Sequence, residues 1–259
     1  MMVVDHISAT QISMFCRCRA AWMFRYIWGK TVKPKAAMMR GRCVHRAVAV
    51  DYTQKVRSKV SLPVADVLDA YSDAYEAESG DVAWKDTEDA GKVKDGGVRV
   101  LEAYHKEVVV NTQPIDVEQS FQMDIAWVAD DEDKTVKYKG VLDVMDDAGG
   151  ITDLKTTGQT PKVAGNDATQ QVIGYTMGKE AMGDQPTSAH LHYLVALKTP
   201  KIVQFDVPVT QSRKKFFLTQ IPKIVSSMES GNYYAARGNR WCSETACGYW
   251  PDCVREFGG

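Results

Sequence analysis

The segment "GVLDVMDDAGGITDLKTTG", residues 140–158, carries two aspartates and a lysine whose spacing suits chemistry: Asp143, Asp153 and Lys155. Alternate residues of a strand share a face, so Asp153 and Lys155 point one way and Leu154 points into the core. Two carboxylates on adjacent strand ends can hold a divalent cation through hard oxygen ligands. A lysine beside them can position a water and neutralise charge on a phosphoryl oxygen. An isolated D-x-K is more often a surface ion pair. Here Asp143 follows Gly140 on the preceding strand, and Gly149-Gly150 forms a turn that brings both aspartates to one end of a sheet. Gln171 and Tyr175 stand four apart on the next expected helix and share a face. His45 follows Gly41 by one helical turn, and a glycine there would let a backbone or ligand come close.

The elements that must position these groups are readable from periodicity. "SATQ" at Ser8 is a capping box opening a helix through about Tyr26. After Pro34, a second helix carries His45. A third has Ser61 as cap and Pro63 in its first turn, and residues 89–111 form a fourth with a weakness at Gly96-Gly97. The period then changes to two. "IDVEQSFQMDIAWV" and "TVKYKGVLDVMD" are strands joined by a hairpin turn at 130–134, and "ITDLKTT" is a third strand. A helix at about 167–181, strands in "AHLHYLVAL" and "KIVQFDVPV", and a helix at about 210–230 follow, and the last 28 residues are irregular. The order predicts an α/β core with an N-terminal helical region and a Cys-rich tail. One domain is expected over 1–259, divided into a helical region at 1–112, an α/β core at 113–231 and the tail at 232–259.

The chain has 259 residues, 44% of them hydrophobic, and a net charge of −1. Residues 1–47 nevertheless hold nine Lys/Arg and one acid, Asp5, and residues 197–240 hold eight Lys/Arg and two acids. These basic ends could face phosphate or could be ordinary solvated helix faces. No apolar run reaches the ~20 residues of a membrane span, and "MMVVDHISATQ" lacks a signal-peptide pattern. The expected location is therefore the cytoplasm, with no membrane partner. No P-loop pattern is present, so no nucleoside triphosphate is expected. In a reducing compartment the six cysteines suit metal or redox work better than disulfides. Cys242, Cys247 and Cys253 lie in the tail, and Cys16 or Cys18 could complete a tetrad for zinc or a [4Fe–4S] cluster that fastens the tail to the first helix. Cys43 reads as a packed free thiol.

The ordered set "GRCVH", "GVLDVM", "ITDLKTT" and "QVIGY", spanning residues 41–175, resembles the RecB-like branch of the PD-(D/E)XK nuclease superfamily. The resemblance implies an α/β fold with a restriction-endonuclease-like core, a mixed central sheet flanked by helices. It implies that His45, Asp143, Asp153 and the Leu154 carbonyl ligate Mg2+ or Mn2+, that Lys155 positions the attacking water, and that Gln171 and Tyr175 support the site and contact DNA. Glu118, on the first strand, matches a frequent family glutamate and ranks behind these. "SATQISMFCRCRAAWMFRY" further resembles the iron–sulfur type found in AddB-type subunits, CRISPR-adaptation nucleases and some phage exonucleases. Aligning Trp22, Phe24 and Tyr26 with that type selects Cys18, with Cys242, Cys247 and Cys253, and places zinc second. The chain departs from the pattern in having Arg19 where proline is frequent, and four residues in the first tail gap where two are frequent. Arg25 and Tyr26 are further candidates for nucleic-acid contact.

The function implied is a DNA exonuclease on single strands or duplex ends, leaving 5′-phosphates, in recombination, repair or DNA processing in a bacterial or phage-infected cell. A cluster-bearing DNA-binding or assembly subunit is the alternative. Protein partners and homo-oligomers stay open.

Overall fold

The computed structural model describes residues 5–239 and 241–258. Helices α1 (Ala9–Arg17), α2 (Arg19–Tyr26), α3 (Ala36–Ser58), α4 (Val64–Ser79) and α5 (Ala90–Glu107) come first. A short 3-10 turn (Val109–Asn111) leads to strands β1 (Pro114–Ala129), β2 (Glu132–Asp146) and β3 (Gly150–Thr157). Then follow α6 (Asn166–Ala181), β4 (Ser188–Val195), β5 (Lys201–Asp206), α7 (Gln211–Glu229) and α8 (Trp250–Phe257). The strands form one sheet in the order β1-β2-β3-β4-β5. β3 is antiparallel to β2, parallel to β4 across the α6 crossover, and β5 returns antiparallel to β4. This is the mixed, helix-flanked sheet that the sequence predicts.

The chain divides into two compact units. One holds residues 34–121 and 141–209: α3 to α6, β3 to β5 and the adjoining ends of β1 and β2. Its core gathers Met39, Val44 and Tyr52 of α3, Tyr71 of α4, and Leu101 and Tyr104 of α5. These pack with Val144, Leu154 and Leu194 of the sheet. Leu154 thus faces α3 to α5. Lys155, the next residue, bonds to α6, so α6 covers the other face. The central strand β3 is almost continuously buried, as a strand covered on both faces must be.

The other unit holds the described parts of 1–33, 122–140 and 210–259. Here β1 and β2 meet in a two-residue turn with positive φ at both Asp130 and Asp131. That is the hairpin geometry matching strand twist, and aspartate tolerates it. Ala20, Met23 and Phe24 of α2 pack with Tyr249 and Cys253 of the tail, so the tail is fastened to the opening helices.

Four local expectations are corrected. The first helix is two, because Cys18 is extended (φ −161°, ψ 110°) between α1 and α2. Across the break Phe15 packs edge-on against Trp22, with ring centroids 5.3 Å apart. Ser8 does cap α1 by accepting from Gln11 N–H, but the Gln11 amide donates to the His6 carbonyl rather than back to Ser8. Ser61 does not cap α4, since Pro63 occupies the cap position without a side-chain bond. The tail is not wholly irregular: Pro251, with its preset φ in the first turn, opens α8.

Gly97 is a packing device rather than a weakness. A Cβ there would stand 1.9 Å from the Tyr71 hydroxyl, which donates to the Lys94 carbonyl. Gly178 plays the same part on α6, where a Cβ would lie 2.1 Å from the Phe121 ring.

Candidate metal and catalytic centre

Every expected residue of the acidic site falls within the sheet-bearing unit. Val144 pairs with Thr152 across β2 and β3, so Asp143 and Asp153 occupy the next opposed positions. Asp143 Oδ2 accepts from the Leu154 amide at 2.7 Å and lies 3.5 Å from His45 Nδ1 of α3. Lys155 Nζ donates to Asp153 Oδ1 at 3.0 Å and to Gln171 Oε1 at 2.9 Å. The Gln171 amide in turn donates to the Tyr175 hydroxyl. Tyr175 is buried, edge-on to Phe121 with ring centroids 5.6 Å apart. The i, i+4 spacing on α6 thus turns two side chains into one relay that holds the lysine.

Glu118 belongs to the same group. One donor atom each from His45, Glu118 and Asp143 all lie within 4.8 Å of one another. Glu118 does not open its strand; it is the fifth residue of β1, with a left-handed φ of 48°. A break of this kind costs backbone energy and re-aims a side chain. Among the described residues this is the sole such group of three or more. A glutamate near a strand start was visible in the sequence, but its backbone reversal was not.

The electrostatics are those of crowded carboxylates. Burial pushes Asp153 up, to about 6, and the charge of Asp143 adds to the push against the opposition of Lys155. Glu118 is also raised, by burial and by Asp143. Burial would raise Asp143 too, but His45, the Leu154 amide and Lys155 hold it below the usual range. Burial would lower His45, yet the Asp143 carboxylate outweighs it and the net shift is upward.

Asp153 Oδ2 is sealed from solvent and has no donor in hydrogen-bonding geometry, although Lys155 Nζ lies 2.7 Å away. The Lys155 ammonium already pairs with this oxygen, and a divalent cation beside the second carboxylate would add to that pairing. The donor set, carboxylate oxygens with one imidazole, fits Mg2+ or Mn2+. No backbone comes close to Gly41: a Cβ there would meet only the Thr156 methine carbon, at an ordinary 3.7 Å.

The other unit gathers cysteines. Cys253 is raised first by burial and then by the neighbouring thiols of Cys18, Cys242 and Cys247. Those four are the tetrad reached by aligning the aromatic run, whereas Cys16 lies exposed on α1. Cys43 is fully buried and pushed up to about 11 by burial, a packed thiol. Arg25 and Tyr26 lie in the same unit as the tetrad, on α2, where the guanidinium sits 5.6 Å over the Tyr26 ring.

Residues 6–254 match the PD-(D/E)XK nuclease superfamily. A search of curated proteins found no match. Among solved structures, a protein from Eubacterium rectale that bears a provisional exonuclease label is similar over 92% of this chain and 87% of its own, with TM-score 0.57 and 9% identity. The crystal structure of SSO0001 matches 86% of this chain and 76% of its own at 14% identity and TM-score 0.43.

Proposed function

Because the chain belongs to the PD-(D/E)XK nuclease superfamily, whose members use divalent metals, we propose that it is a RecB-like, Mg2+- or Mn2+-dependent DNA exonuclease carrying a [4Fe–4S] cluster. The observation that carries the catalytic part is the meeting of His45, Glu118 and Asp143 beside the Asp153–Lys155–Gln171–Tyr175 chain. His45, Glu118, Asp143 and Asp153 would hold the metal, with the Leu154 carbonyl as a further ligand. When bound, the metal lowers the pKa of water and stabilises charge on the scissile phosphate. Lys155 would orient the attacking water and meet the developing phosphoryl charge. Gln171 and Tyr175 would fix the direction of the ammonium, and Tyr175, being buried, would act on the DNA strand only through Gln171. In-line attack would break the bond to the 3′-oxygen and leave a 5′-phosphate.

Exonuclease action is favoured over site-specific cleavage because the sequence has no recognisable base-reading module, and the Eubacterium rectale neighbour carries a similar label. The cluster reading rests on the iron–sulfur-type motif and on the four thiols that share one electrostatic neighbourhood.

The test is an end-labelled assay on single- and double-stranded DNA with Mg2+, Mn2+ or EDTA, using anaerobically purified protein beside Lys155→Ala. Metal-dependent degradation that the variant lacks is expected, and the ladder reports polarity. A brown, folded protein that cleaves no linear, nicked or circular DNA would replace this reading with a cluster-bearing DNA-binding subunit.

A further inference from the structure

A cavity of about 320 Å³ opens in the unit that holds the tail cysteines, lined by Phe15, Cys18 and Arg19 around the α1–α2 break, Lys223 and Ser227 of α7, and Tyr234 of the tail. We propose that it seats one nucleotide of a single-stranded nucleic acid, with the phosphate on Arg19 and Lys223 and the base against Tyr234. The choice of DNA as the polyanion rests on the nuclease reading; the cavity chemistry stands beside it.

Arg19 is already shaped for the task. Its guanidinium lies 5.2 Å over the Phe15 ring and 5.0 Å over the Tyr234 ring. Aromatic faces against a guanidinium fix its plane and leave the N–H edge for a bidentate acceptor. Phosphate is the acceptor that such an edge meets best. Lys223 adds an exposed second charge, and no acid lines the cavity. An anion therefore enters without displacing an internal ion pair.

Tyr234 supplies the other half of a nucleotide site. It is 51% exposed, so a large ring is held in solvent beside the cavity with face left for stacking. Base–aromatic stacking with a cationic groove is how single strands are bound without sequence preference. A volume near 300 Å³ is at the lower end of small-ligand sites and suits one nucleotide. The pairing of arginine with an aromatic ring recurs in this unit, in Arg17 over Trp241 at 5.8 Å and Arg25 over Tyr26 at 5.6 Å. Repeated cation–ring pairs match a polymer that alternates phosphate and base. Bases of an intact duplex are stacked on one another and cannot reach such a ring, which selects the single strand.

The experiment uses full-length Lys155→Ala protein as the parent, so that no strand is cut, with fluorescein-labelled dT15 and a matched duplex followed by anisotropy in EDTA. Adding Tyr234→Ala should weaken dT15 binding about tenfold, within the range for one stacked base, and Tyr234→Phe should restore it. Adding Lys223→Gln should weaken binding and lower the salt-dependence slope by about one. An oligonucleotide with 5-iodouracil should crosslink to Tyr234. Parent-like dT15 affinity in both variants would overturn the site while leaving the cleavage assay to judge the nuclease reading. Equal losses on dT15 and duplex would overturn the single-strand assignment. Weakened dT15 binding in both variants, with a wild-type protein that cuts no DNA, would sustain the site and remove the nuclease.

Discussion

The acidic site and the four cysteines proposed to hold a cluster are assembled differently. Asp143, Leu154 and Lys155 come from two adjoining strands, and ladder pairing brings their positions together before any helix is added. The cysteines come from the two ends of the chain, and only docking of the tail on α2 gathers them. The first site is over-supplied with charge, since Asp153 and Glu118 are both pushed toward their protonated forms. The second lies in an aromatic cluster, where Phe24 stacks on Tyr249 with centroids 5.8 Å apart. A strained, charged site suits turnover, and a packed thiol site suits a staple.

That contrast can be broken or sharpened by substitution. The largest expected effect is Lys155→Ala, which should lower the cleavage rate about 10³-fold while DNA affinity stays within about threefold. Full retained activity would end the assignment of this lysine. Next, Cys18→Ser should lose iron and lower the melting temperature by on the order of 10 °C, with little change in cleavage per folded molecule. Cys16→Ser should leave both iron content and melting temperature unchanged. The reverse pattern would move the N-terminal ligand to Cys16.

Acid should act through His192, which burial holds down at about 4 while it bonds to the Tyr104 hydroxyl. Its folded value lies below the ordinary one, so its contribution is complete above about pH 6.5 and is lost as pH falls toward 4. Denaturant titrations should show wild type losing ~3 kcal/mol more than His192→Gln between pH 7 and pH 4. Parallel losses would mean that this histidine is not linked to folding.

Smaller effects test the acidic site itself. Glu118→Gln should weaken Mn2+ binding about tenfold by calorimetry, and unchanged affinity would remove it from the ligand group. Gly41→Ala should be neutral or stabilise by up to ~1 kcal/mol, because its Cβ meets only Thr156 at contact distance. Loss of metal binding in that variant would restore a role for the glycine as a gap for a ligand.

The periodicities carried the fold far. The strands, the α6 crossover and the shared face of Gln171 and Tyr175 are all local, and the structure repeats them. Boundaries slipped where tertiary packing overrides propensity. Cys18 breaks a helix that its neighbours would continue, and Gly97 is spent on Tyr71. Glu118 ranked behind its partners because a left-handed backbone inside a strand has no sequence signature when the residue is not glycine.

The amino-acid sequence by itself determined the superfamily and the order of helices and strands, and strand and helix periods placed Asp153 with Lys155 and Gln171 with Tyr175 from local spacing alone. Tertiary structure alone decided that Glu118 joins His45 and Asp143 and that Arg19 lies against two rings at a cavity, and it put Cys18, the cysteine the motif selects, among Cys253's neighbours. Those depend on contacts between segments far apart in the chain, where no period relates one residue to another and packing chooses which faces meet.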